Sequence, residues 1–183
     1  MQMGFDNDLY ESYVLDFWSK FKSYNLGVLK LKRDAKIPKS LMPRQANFPE
    51  FISQYFVYRI LTERLAKKNV TLNTTRSGAD LLINGMVVEI KAGVFGPSTL
   101  TIQKKWDDIR HFYFLDCSRW SCSGEAFLYE IDWKKLKEEL KIKYHAKSDQ
   151  KRRVKESFFV LSKSHGTLVW SGFFDDICKR NYK

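Results

Sequence analysis

The chain has 183 residues, 44% of them hydrophobic and 15% aromatic, which is enough for one compact domain with a real core and too much for a disordered chain. Its 32 Lys and Arg against 21 Asp and Glu give a net charge of +11, the balance expected of a protein that meets a polyanion, although ribosomal and membrane-surface proteins share it. Cys117, Cys122 and Cys178 are an odd number without CxxC spacing, which argues against a disulfide framework and a structural zinc site. They read as reduced packing residues of a cytoplasmic protein. No run approaches the ~20 apolar residues that cross a bilayer, and Asp6, Asp8 and Glu11 near the start are wrong for a signal peptide.

The first element is predicted over residues 6–24, where Leu9, Tyr13, Val14, Phe17, Trp18 and Phe21 recur at helical spacing and Asn25 with Gly27 supplies a stop. From Lys30 to Arg44 the pattern dissolves into six basic residues around Pro38 and Pro43, a basic loop suited to DNA-backbone contact through residues such as Arg44, or a solvated connector. A second helix is expected from Asn47, as N-cap, to about Lys68, with Phe51, Ile52, Tyr55, Phe56, Ile60, Leu61 and Leu65 as its apolar stripe. Glu50 in its first turn suits the helix dipole. Val70 to Thr75 reads as a strand.

Residues 80–91, Asp-Leu-Leu-Ile-Asn-Gly-Met-Val-Val-Glu-Ile-Lys, are the most informative stretch. Asn84-Gly85 between two apolar runs predicts a two-residue hairpin turn, since both tolerate positive φ. That turn pairs Ile83 with Met86, Leu82 with Val87 and Leu81 with Val88, and sets Asp80 opposite Glu89. Opposed like charges are destabilising unless a cation sits between them. Lys91 shares the face of Glu89, while Leu81, Ile83, Met86, Val88 and Ile90 form the expected core face. Two carboxylates suit Mg2+, or Mn2+ in its place, hard cations that take oxygen ligands, with the Ile90 carbonyl as a further donor.

At these residues, Ser-Gly-Ala-Asp80 followed by a short hairpin and Val-Glu89-Ile-Lys91-Ala, the chain resembles the PD-(D/E)XK nuclease superfamily, with Ala79 where the family name has Pro. The resemblance implies metal ligation by Asp80 and Glu89 and a catalytic role for Lys91. It also implies that Glu50, ahead of Glu63, points into the site from the preceding helix and helps hold the metal, and that Gln103 lies near the scissile phosphate.

The Gly93 to Thr99 stretch lacks P-loop spacing and reads as a loop beside the metal site. Ser98, Thr99, Lys104 and Lys105 are DNA-binding candidates there, joined by Lys151, Arg152 and Arg153 in the basic run 145–156. Strands are expected over His111–Cys117, Ala126–Ile131, Phe158–Leu161 and Thr167–Trp170, with a helix capped by Asp132 over Trp133–Leu140. His111, His145 and His165 are scattered and read as structural or surface residues.

The expected fold is therefore α/β: one domain over residues 1–183 with a restriction-endonuclease-like central mixed β-sheet, helices on either side and the catalytic hairpin in the middle. The expected function is Mg2+-dependent hydrolysis of double-stranded DNA as a homodimeric type II restriction endonuclease. Alternatives are a structure-specific nuclease such as a Holliday junction resolvase and a non-catalytic DNA-binding module.

Overall fold

The computed structural model describes residues 7–34, 48–73, 80–93, 98–101, 109–136, 138, 158–161 and 163–179. The order is α1 (Asn7–Asp34), α2 (Glu50–Arg59), a π-helical turn (Ile60–Arg64), β1 (Val70–Leu72), β2 (Leu81–Ile83), β3 (Met86–Gly93), β4 (Ser98–Thr101), β5 (His111–Asp116), β6 (Glu125–Ile131), β7 (Phe158–Leu161), β8 (Gly166–Phe173) and α3 (Phe174–Cys178). A helical turn also covers 133–136. The fold is α/β, built on a six-stranded mixed sheet in the order β1-β2-β3-β5-β6-β8. Only β3 and β5 run parallel; the other pairs are antiparallel. β4 and β7 form a separate two-stranded ribbon.

The Asn84-Gly85 turn sets the hairpin as its chemistry requires. Both residues have positive φ, 52° and 77°, and the β2–β3 register is Leu81↔Val88, Leu82↔Val87 and Ile83↔Met86. Leu81, Ile83, Val88 and Ile90 are buried, but Met86, expected with them, is 40% exposed, although its cross-strand partner Ile83 on the other side of the turn is buried.

The apolar face of the hairpin joins the larger core, which also takes Val14, Trp18 and Phe21 of α1, Ile52, Tyr55 and Phe56 of α2, Tyr113 and Leu115 of β5 and Phe174 and Ile177 of α3. Trp18 is central, with the rings of Phe21, Phe48, Phe56, Trp120 and Phe174 all within 6.0 Å, centroid to centroid. The opposite sheet face carries a second cluster of Ile109, Phe112, Phe114, Ile131, Trp133 and Leu136. The expectation of helices on either side is met unevenly. All three long or terminal helices share one face, and the turn at 133–136 covers the other, where the Asp132 carboxylate accepts the Lys135 N–H at 3.1 Å as its cap.

α1 does not stop at Asn25 and Gly27 but continues to Asp34. Asn25 is buried and its Nδ2 donates to the Phe21 carbonyl one turn back, so it is satisfied inside the helix. Lys30, Lys32 and Arg33, expected in a basic loop, are exposed on its last turns. α2 begins at Glu50 with Pro49 as N-cap, and Asn47, expected in that place, lies outside the described residues. Ser98 and Thr99 belong to β4, paired with Leu161 and Val160, and not to a loop. Of the cysteines, Cys117 is buried and Cys178 partly so, but Cys122 is exposed in a turn and contributes no packing. No helix among the described residues is long and apolar enough to cross a membrane.

Candidate active site

The β2–β3 ladder ends at Leu81↔Val88, one residue short of the acidic pair. Asp80 keeps one main-chain bond to β3, its N–H donating to the Val88 carbonyl at 3.1 Å, and its own carbonyl accepts the Asn73 N–H at 3.3 Å. From there its carboxylate replaces the backbone: Oδ2 accepts the Ile90 N–H at 2.6 Å, and Oδ1 accepts Nε2 of Gln54 on α2, also at 2.6 Å. Asp80 is thus held by one donor from β3 and one from α2. N–H and C=O of a strand residue point to the same side, so the Ile90 carbonyl also faces the Asp80 flank of β3.

Glu89 and Lys91, two apart on β3, share a face and form an ion pair through Oε1 and Nζ. Their parallel neighbours on β5 are Phe112 and Phe114, members of the second apolar cluster. These rings remove water from the charged face, and the Glu89 side chain is only 9% exposed. Asp80 is buried as well.

Two carboxylates in so dry a place cannot both ionise freely. Desolvation, followed by the charge of Glu89, pushes the Asp80 carboxyl up to about 6, against the lowering pull of the Ile90 N–H, Lys91 and Gln54. Burial alone would lower the Lys91 ammonium. Its ion pair with Glu89 and the charges of Asp80 and Glu50 outweigh that and raise it. Lys91 is therefore a fixed cation and not a base at neutral pH.

Glu50 is exposed, at the first position of α2, and its charge is felt at Lys91. It precedes Gln54 by four residues, so both lie on one side of the helix. Glu63 is committed elsewhere, its two oxygens gripping buried Arg59 at 2.6 and 2.9 Å. Hence Asp80, Glu89, Lys91, Ile90 and the start of α2 come together. Gln103, Lys104, Lys105, Arg44, Lys151, Arg152 and Arg153 lie outside the described residues, and for Ser98 and Thr99 only the backbone is described.

Gln54 was not among the sequence candidates. Its signal is positional, one turn after Glu50 on the same side of a helix, and becomes legible only once that helix is aimed at the hairpin.

Among the described residues, no group of three His, Cys, Asp or Glu side chains could by itself enclose a metal ion. The donor set fits a cation that needs fewer protein ligands: two buried carboxylates in mutual repulsion and a carbonyl on the same flank suit Mg2+, which keeps water and substrate oxygens in its shell. A cleft of about 900 Å³ opens elsewhere, at the start of β5, the end of β6 and the start of β8, and is lined by Arg110, Lys134, Lys135 and His165 among others. None of Asp80, Glu89 and Lys91 lines it. No protein-family model, curated protein or solved structure matches the chain.

Proposed function

We propose that this chain is a Mg2+-dependent endonuclease that hydrolyses phosphodiester bonds of double-stranded DNA, cutting at a specific sequence in the manner of a type II restriction endonuclease, as a homodimer. The observation that carries the reading is the buried pair of carboxylates, Asp80 and Glu89, on adjoining strands of one hairpin with Lys91 held against the second. Asp80, Glu89 and the Ile90 carbonyl would hold the cation. Bound there, Mg2+ supplies a Lewis acid for the phosphoryl oxygen and lowers the pKa of a coordinated water.

The chain's own groups do the rest. Gln54 and the Ile90 N–H fix both oxygens of Asp80, so its orientation is set before substrate arrives. Lys91, kept charged by its acidic neighbours, stabilises negative charge developing on the phosphate. The rings of Phe112 and Phe114 keep the face dry, which strengthens each of these interactions. Arg110, Lys134 and Lys135 at the cleft add exposed cations suited to backbone phosphates.

Incubation of phage and plasmid DNA with the protein and Mg2+, with sequencing of the ends, tests the proposal. Discrete fragments with a common terminal sequence are expected, with Asp80→Asn, Glu89→Gln and Lys91→Ala each slower by about 10³-fold or more while circular dichroism stays unchanged. Nicking confined to four-way junctions would favour a resolvase, and binding without any cutting would reduce the chain to a DNA-binding module.

A further inference from the structure

Glu89 is asked to hold two cations. Its Oε1 forms an ion pair with Nζ of Lys91, the next residue along β3 on the same face. The same carboxylate is one of the two that would hold Mg2+ in the nuclease reading, on which this inference rests. A second positive charge brought to that carboxylate either displaces the ammonium or is repelled by it. Lys91 opposes the cation in both cases, and the rings of Phe112 and Phe114 on the neighbouring strand strengthen the repulsion by keeping water out.

Asp80 is placed differently. Its two oxygens accept hydrogen bonds from neutral donors, the Ile90 N–H and Nε2 of Gln54, both at 2.6 Å. A carboxylate oxygen has a second lone pair, so Asp80 can take a cation without giving up either donor. Glu89 has to trade its partner. The trade is local, because the Lys91 side chain is 28% exposed against 9% for Glu89, which gives the ammonium room to swing away while β3 stays fixed between β2 and β5. Asp80, Glu89 and Lys91, all ionised, carry one net negative charge. A divalent cation reverses this to one net positive charge beside two buried side chains, a further cost that falls to Lys91.

We infer that Lys91 competes with the divalent cation for Glu89, so that the residue that serves the phosphate also holds down the cation affinity of the protein on its own. Removing its charge should therefore slow cleavage and tighten cation binding together. A lysine that only assisted the reaction would leave cation binding where it was.

Calorimetric titration of Mg2+ into the full chain, without DNA, tests the competition. Lys91→Met keeps most of the stem and removes the charge, and is expected to bind Mg2+ about tenfold tighter than the wild-type chain. Lys91→Arg, whose guanidinium grips a carboxylate through two parallel hydrogen bonds, is expected to bind it more weakly than wild type. Lys91→Met also leaves Glu89 buried without its counter-charge, so its thermal midpoint should fall without Mg2+ and recover on adding it, by more than wild type gains. Adding Asp80→Asn to Lys91→Met should abolish that recovery. Equal or weaker Mg2+ binding by Lys91→Met, or an arginine variant that binds as tightly as wild type, would overturn the inference and leave the cation site standing. Mg2+ binding by none of these proteins would remove the cation site itself, and the competition with it. The arginine variant decides the matter if Lys91→Met fails to fold.

Discussion

Asp80 carries the clearest consequence for solution behaviour. Its carboxyl is raised from an ordinary value of 3.8 to about 6, first by burial and then by Glu89. Between those values the folded chain keeps a proton that the unfolded chain has released, so stability falls as pH rises through the window and stays lower above it. The cost at neutral pH is about 3 kcal/mol at most. Asp80→Asn cannot ionise and should lose this slope; urea titrations from pH 4 to about 7 that decline equally in both proteins would place the titration elsewhere. Cation affinity runs the other way, rising through about pH 6 as Asp80 gives up its proton. Gln54→Leu removes a donor that favours the ionised form, so the acid limb of the pH–rate profile should move to higher pH. An unmoved limb would mean that Gln54 does no more than pack. Arg59, 4% exposed and bound to Glu63, Glu11, Tyr55 and the Lys179 carbonyl, ties α2 to α1 and the end of α3. Arg59→Ala leaves these acceptors without their donor and should cost about 3 kcal/mol in a denaturant titration.

At the scale of elements, α1 and the hairpin respond oppositely to the same substitution. Gly27 is exposed within α1, and a Cβ there would meet nothing within 4 Å. Gly27→Ala should therefore stabilise by about 0.5–1 kcal/mol, read as a rise in midpoint on thermal unfolding. Gly85 also has open space, but its φ of +77° penalises any side chain, so Gly85→Ala should cost about 1 kcal/mol. These two glycines also show what the sequence discloses. Asn84-Gly85 specifies its turn chemically, and the hairpin register follows from the two residues alone. Asn25 and Gly27 look equally like punctuation, yet the stop fails because the helix on both sides is anchored: Phe21 and Val28 are buried, and Asn25 turns its amide back on its own helix. Propensity yields there to tertiary packing. The dry charged face was half legible. Phe112-Tyr113-Phe114-Leu115 is an unbroken apolar run, the pattern of a strand covered on both faces, and it implies cover over Glu89 and Lys91.

Over the whole molecule, the sheet explains how one hairpin can be both rigid and chemically awkward. β3 is flanked by β2 on one side and β5 on the other, with packed side chains above and below, so it can hold buried charges that an edge strand would release to water. Nonspecific duplex binding, measured without Mg2+, should weaken by about tenfold or more between low and physiological salt, because counterion release drives it. Insensitivity to salt would separate the +11 charge from nucleic acid. The Asp132-capped turn at 133–136 was legible, but the whole-sheet order was beyond the sequence, since strand adjacency depends on contacts between residues far apart in the chain.

The bond from the Ile90 N–H to the Asp80 carboxylate makes that single amide a reporter of the site. Protonation of Asp80 weakens the acceptor without moving the strand, so the Ile90 nitrogen–proton resonance should shift upfield as pH falls below about 6, while Val88 and Leu115 hold still. Titrating Mg2+ against the same resonance would read cation capture in the absence of DNA, separating what the two acids bind from any cleavage.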